Sequence, residues 1–205
     1  MNSRTWLLGL SLVLAVPGFA GPALPTAVQN VLSDAHWQCL GQGEMRWYGL
    51  ALYQASLWTR RTARRVTPDT PFAFVIEYER HFSGTRLAST SISEMRRLRL
   101  ADENQLTRWD AELARIFPNV QLTRWDAELA RIFPNVKTVQ TITGINLPGQ
   151  GVRFFHHDKL IGSITDPAFG RAFFGIWLHE QTRATALRNQ LLGKHNKLAG
   201  WTSPT

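Results

Sequence analysis

The apolar positions of this chain fall into runs of three different periods. The first run, Trp6 through Val16, follows the cation Arg4 and precedes Pro17-Gly18-Phe19-Ala20. Small residues three before and one before a cut after Ala20 complete the layout of a cleavable secretory signal peptide. The run is too short to span a bilayer, which takes about 20 apolar residues. Residues 1–20 are read as the signal peptide, with a cut after Ala23 as the other possibility. The expected destination is the periplasm or the exterior, and no later stretch is long and apolar enough to halt export.

Residues 21–36 read as a linker, 37–193 as one domain and 194–205 as a tail. Trp37 to Trp58 carries Gly41, Gly43 and Gly49 among aromatic and aliphatic residues, the pattern of strands around a tight turn. Phe72 to Tyr78 alternates as a strand. Leu87 to Leu100 has the period of a helix with a basic face. Val136 to Asn146 and Gly151 to Ile164 read as strands, turned at Pro148-Gly149 and at an Asp158-Lys159 hairpin tip. Asp166 reads as an N-cap with Pro167 at the first helical position, and Phe169, Phe173, Ile176 and Trp177 as the buried stripe behind them. A last helix, Ala184 to Leu192, stops at Gly193. Strands and helices that do not alternate as β-α-β predict an α+β fold: an antiparallel sheet with helices on one face.

One segment is doubled. Residues 105–120 read QLTRWDAELARIFPNV, and residues 121–136 repeat them without a change. Solenoid units are longer, diverged and more numerous, so this reads as a recent duplication, an engineered one or an error of sequence assembly. Trp109, Leu113, Ile116 and Phe117 form one helical stripe ended by Pro118, and Trp125, Leu129, Ile132, Phe133 and Pro134 form its twin. A fold with one site for this helix can seat one copy. The tight link from the second copy to Lys137 favours that copy for the site. Sixteen extra surface residues cost on the order of 1 kcal/mol in closure entropy. The unseated stripe would expose a Trp and a Phe and favour aggregation.

Composition narrows the class. Once 20 residues are removed from 205, 185 remain, enough for one domain with a substantial core. Eight Trp and eleven Phe argue for a packed globule. The single Cys39 excludes an internal disulfide framework and a cysteine zinc site, and is expected to be buried in an oxidising compartment. A net charge of +8, bunched at Arg60, Arg61, Arg64, Arg65 and at Arg96, Arg97, Arg99, reads first as a solvated basic face that aids solubility, and as a functional feature it suits an anionic membrane surface or acidic ligand. Export and the lack of a nucleic-acid motif argue against nucleic acid as partner. His156 and His157 are adjacent on a strand and so point apart, which disfavours a shared metal; a solvated hairpin tip is expected. Glu77 and Glu79 share one strand face without a partner set.

Four stretches together resemble the chalcone-isomerase-like family, in particular its exported bacterial branch. They are GQGEMRWYGLALYQASLW at 41–58, FAFVIEYERHFSGTRLASTSISEMRRL at 72–98, RWDAELARIFPNV before 137, and the run from TGINLPGQG to LRNQLLG at 143–193. DPAFGRAFFGIWL is the most specific part. The resemblance implies an open-faced β-sandwich, a large curved antiparallel sheet backed by helices, which agrees with the α+β reading. Similar sequences often carry Gly-Asp where this chain has Val139-Gln140.

The family's enzymes close a phenolate onto an enone without a cofactor, steadying the developing enolate with an arginine and hydroxyl and amide donors. Their arginine falls at Met45, beside Arg46; their threonine at Tyr53; their tyrosine at Leu87; their asparagine at Glu94. Their late Ser or Thr falls near Ala184, between Thr182 and Thr185. Leucine cannot donate, and glutamate would oppose an anion, so no catalytic residue is assigned. The plant fatty-acid-binding branch holds a carboxylate with an arginine and a tyrosine. Tyr53 matches that tyrosine and Arg46 lies next to that arginine, so the two are the candidate ligand-binding residues. The other reading puts Arg46 on the surface and Tyr53 in the core.

Three functions follow. The first is an exported, non-catalytic binder of a small apolar carboxylate such as a fatty acid. The second is a cofactor-independent isomerase or lyase using Arg46, Tyr53 and Glu94. The third is an interaction module with a vestigial cleft that meets a membrane or protein through its basic face.

Overall fold

The alternation over 37–60 becomes a long hairpin because its turn is two residues of positive φ. Tyr48 (φ 47°) and Gly49 (φ 81°) join β1 (Trp37–Trp47) to β2 (Leu50–Arg60), the turn geometry that matches strand twist. This computed structural model describes residues 21–31, 36–63, 65–78, 83–117, 140–193 and 201, with Trp47 described by its backbone alone. After β2 come β3 (Phe72–Tyr78), β4 (Gln140–Leu147), β5 (Gly151–His156) and β6 (Lys159–Ile164). Each strand pairs antiparallel with the next in sequence, giving an open six-stranded sheet with β1 and β6 at its edges. Helices α2 (Gly84–Arg97), α3 (Glu103–Ile116), α4 (Phe169–Leu178) and α5 (Thr185–Leu192) bury their apolar stripes with the strand residues Leu57, Phe74, Ile142 and Phe154. The expected α+β class, an antiparallel sheet with helices, is the one observed.

The other face of the sheet is covered too. Ala73, Val75, Ile145, Leu147 and Phe155 form a second cluster with Leu24 and Val28, the latter on a single turn, α1 (Thr26–Gln29). Ser56 Oγ–H donates to Pro22 O at 2.6 Å, and Asp158 Oδ1 accepts from Ala27 N–H at 2.8 Å. The stretch read as a linker thus packs on the domain over 22–28.

Local chemistry moved several boundaries. Helix α2 begins at Gly84, three residues before the apolar period, because Ser83 Oγ accepts the Arg86 N–H. Helix α4 begins at Phe169, so Pro167 lies outside it. Asp166 Oδ1 accepts the Ala168 N–H and Oδ2 takes Trp109 Nε1–H at 3.0 Å, which makes Asp166 a turn residue tied to α3 and not the N-cap. Cys39, expected to be buried, is exposed: it sits on the edge strand β1, outside both apolar clusters. His156 is half-buried and bonded to Gln140, while His157 and Asp158 alone make the turn. The expected strand start at Val136 and the second copy of the repeat lie outside the described residues.

The first copy, not the favoured second, fills the helix site. Leu106, Trp109, Leu113 and Phe117 are buried there, with Trp109 edge-on to Phe169 at 5.2 Å. The reason lies upstream of the repeat. Asp102 Oδ1 accepts Gln105 N–H at 2.8 Å while Gln105 Oε1 accepts Asp102 N–H at 3.1 Å, a reciprocal cap. Arg96 also grips Glu103 through two nitrogens at 2.8 and 2.9 Å. Sixteen residues on, the positions of Asp102 and Glu103 are Pro118 and Asn119, residue types that carry no carboxylate for either contact. A cap of this kind is worth about 1 kcal/mol, and an exposed ion pair adds a few tenths at most.

Removing either copy yields one and the same chain, which keeps both the Asp102 cap and the link to Lys137. That chain should melt within about 4 °C of the parent, the shift expected for roughly 1 kcal/mol in a domain of this size. It should also aggregate less on heating. A loss of cooperative melting would show that both copies are needed for the fold.

Candidate functional site

Strand register gathers the candidate residues. Met45 on β1 lies opposite Tyr53 on β2, Tyr53 opposite Tyr78 on β3, and Tyr78 opposite Gln140 on β4. His156 on β5 reaches Gln140, Nε2 to Oε1, at 2.6 Å. Residues two along from these, Ala55, Ile76, Ile142 and Phe154, are core, so the row faces the helices. Met45, Tyr53, Tyr78, Leu87 and Ile176 are partly buried against that core, forming a seam between this end of the sheet and α2 and α4.

Tyr53 is held by Trp177 in the last turn of α4, whose Nε1–H donates to the phenol oxygen at 2.8 Å. Tyr78 stands edge-on to Tyr53, ring centres 5.7 Å apart. Burial pushes the Tyr53 phenol up to about 12 from 10.0, with the Trp177 bond opposing the shift. Burial, then the neighbouring Tyr53, pushes Tyr78 up as well. Both phenols are neutral hydrogen-bonding groups in surroundings that penalise negative charge. With its oxygen accepting from Trp177, Tyr53 keeps its own hydrogen to donate.

Arg46 does not join them. Its Nε–H donates to Glu44 Oε2 at 2.7 Å and its Nη1–H to Gly49 O at 3.1 Å, with the side chain 58% exposed. Its ion pair with Glu44, two residues back on the same strand, and its exposure set Arg46 apart from Met45 and Tyr53, which pack on the core. The expected clamp of Arg46 with Tyr53 is therefore not assembled.

The other enzyme-equivalent positions are also occupied by structural work. Leu87 packs apolar surface against the core. Glu94 has both oxygens engaged, Oε2 by Arg97 at 2.9 Å and Oε1 by Arg183 at 2.9 Å. Thr182 donates to Ile176 O and accepts from Ala184 N–H, tying α4 to α5. Tyr78, Gln140, His156 and Trp177 were not foreseen as site residues. The register that aligns Tyr78 with Tyr53 is set across the connection at 61–71, and nothing local in the chain displays it.

Three comparisons agree with this architecture. The family description chalcone isomerase-like matches residues 45–193. The chain belongs to the chalcone isomerase-like family. It is 28% identical over 160 residues to an uncharacterized protein of Haemophilus influenzae, the match covering 78% of this chain and 70% of that protein. Its fold is similar to the crystal structure of a fatty-acid binding protein of Arabidopsis thaliana, with a TM-score of 0.50 and 10% identity over 76% of this chain and 86% of that one. At that identity the likeness establishes the fold alone.

His179 caps α4 beside the seam, buried, its Nδ1 accepting Gln181 N–H at 3.0 Å. Burial holds its pKa below the usual 6.5; Arg188 and Arg97 push the same way and Glu180 opposes them. As pH falls through about 6.5 the unfolded chain takes up a proton that the folded ring refuses, so stability declines from there down to the lower folded value. The urea midpoint should be lower at about pH 5 than at about pH 7.5, and His179→Asn should flatten the difference; an unchanged slope in that variant would assign the effect elsewhere.

Proposed function

We propose that this protein is an exported, non-catalytic binder of a small apolar acid, such as a fatty acid, held in the seam between the sheet and helices α2 and α4. One observation carries the reading: a phenol hydroxyl, Tyr53, is fixed by Trp177 with its hydrogen still to give, amid Met45, Leu87 and Ile176. A polar end can be hydrogen-bonded there and an apolar tail covered, the usual division of labour in a ligand site. The fold's likeness to a protein described as fatty-acid binding supports the same class. An isomerase reading finds less support, because Glu94 is engaged by two arginines and Leu87 has no donor. The signal-peptide layout of residues 1–20 supports action in the periplasm or outside the cell, by a mature chain beginning at Gly21.

Native mass spectrometry of the processed protein from its export compartment should show a stoichiometric acyl species that organic extraction removes. Tyr53→Phe should weaken octanoic acid binding by about tenfold, the worth of one hydrogen bond to a ligand. Arg46→Ala should leave it unchanged. An empty protein that takes up no acyl ligand would end the carrier reading.

A second reading, an interaction surface for anionic membranes, is favoured by the β1–β2 tip. Tyr48 is 92% exposed and Leu50 54% exposed, beside Arg46, in a chain of net charge +8. Aromatic and aliphatic side chains next to a cation suit the lipid interface. Sedimentation with phosphatidylglycerol vesicles should then be salt-sensitive and reduced in a Tyr48→Ser, Leu50→Ser double variant. Binding that ignores both salt and the tip would dismiss it.

A further inference from the structure

The row on the helix-facing side of the sheet extends well past Tyr53, and its chemistry is uniform. Tyr53 offers an O–H. Tyr78, its register neighbour, brings a second phenol. Gln140 is next in the row. The His156 contact fixes what Gln140 has to offer: its Oε1 can only accept, so His156 carries its proton on Nε2, and the amide N–H₂ of Gln140 remains the group to donate. Trp177 holds the first phenol in place from α4. These are neutral donors, with phenol oxygens that also accept, spaced about 5 Å apart across neighbouring strands.

Among the described residues, four arginines of the flanking elements are turned to other work. Arg46 is on Glu44, Arg97 and Arg183 are on Glu94, and Arg188 Nε–H is on Leu178 O at 2.8 Å. An ionised carboxylate placed in a buried site needs a paired cation or several charge-assisted bonds to offset its desolvation. An uncharged carboxyl needs only one donor and one acceptor, which this row supplies. The upward push of burial on both phenols points the same way, since whatever disfavours a phenolate disfavours a carboxylate beside it.

We infer that Tyr53, Tyr78 and Gln140, braced by Trp177 and His156, form the head-group site of the seam, and that it takes the ligand's polar end uncharged. The ligand class is an apolar tail carrying a protonated carboxylic acid, or an equivalent neutral amide or alcohol. This rests on the carrier reading and narrows it. Binding of an acid in its neutral form removes it from an ionising pool, so apparent affinity falls as pH rises above the acid's own pKa.

The test is calorimetric titration of the purified chain with octanoic acid and with octanamide from about pH 5 to about pH 8. Octanoic acid, whose free pKa is near that of an unperturbed glutamic acid at about 4.3, should weaken roughly tenfold per pH unit, while octanamide stays level. Tyr78→Phe and Gln140→Leu should each weaken both ligands several-fold. Gln140→Lys should place a cation in the row and hold octanoic acid at the upper end of the range. Equal octanoic acid affinity at both ends of the range would overturn the uncharged site and leave the carrier standing. Octanamide binding untouched by both Tyr78→Phe and Gln140→Leu would overturn the placement of the site. Failure of both ligands at every pH would bring down the carrier reading itself.

Discussion

Everything on the helix-facing side of this sheet depends on one close-packed aromatic junction, where α3, α4 and β5 meet at Trp109. The indole is buried, edge-on to Phe169, and its N–H is held by Asp166 at the turn into α4. Phe169 stacks on Phe173, and Phe173 meets Phe154 of β5 and Trp177 of α4 edge to face. Trp177 in turn bonds Tyr53. A single chain of ring contacts thus runs from the helix site to the candidate ligand site. Interiors packed to crystal-like density transmit such constraints, because no member can shift without opening a void beside the next. The placement of the Tyr53 hydroxyl is therefore a consequence of how α3 is seated.

That dependence explains why the duplication is tolerable. The helix site accepts only one Trp-Leu-Phe stripe, and the two copies offer identical ones. Packing cannot choose between identical side chains; what lies outside the repeat must. The choice falls to Asp102 and Glu103, two polar residues at the end of a short link from α2, worth little each but present on one side only. A preference for the second copy, argued from its short link to Lys137, weighed chain slack and overlooked the cap. Closure entropy grows only logarithmically with loop length and sixteen residues are left over whichever copy docks, so the difference in slack is small and a specific hydrogen-bonded cap can decide.

Much of the fold was legible because its elements carry their own periods. Phe72–Tyr78 alternates, α4 has its stripe at helical spacing, and Gly49 marks a turn that only positive φ can make. Boundaries set by a single polar side chain were less visible, as at Ser83 and Asp166. The candidate site was half legible. Tyr53 could be matched within a family pattern, but its neighbours come from register across the connection at 61–71 and from α4 far along the chain. Arg46 failed for a local reason: in a strand one residue separates the two faces, and a match that slips by one lands on solvent. Cys39 was misjudged because burial of a thiol depends on which strand is the edge, a property of the whole sheet.

The character of this site follows from where charge is placed around it. Ring closure through an enolate requires donors aimed at developing negative charge, with a cation among them to share it. Here Met45 packs against the core, and the next residue, Arg46, is exposed and paired with Glu44. What remains is a set of neutral hydrogen-bonding groups whose surroundings push phenols away from ionising. Such a set can orient a polar head group and match its donors and acceptors in the ground state. Hydroxyl and amide donors can also steady developing charge when they are aimed at it, so the set bears on how a polar end is oriented and not on whether it reacts. The same hairpin that carries Arg46 to Glu44 leaves Tyr53 packed on the core beside Trp177, so the polar groups placed at the seam, Tyr53, Tyr78 and Gln140, are uncharged ones.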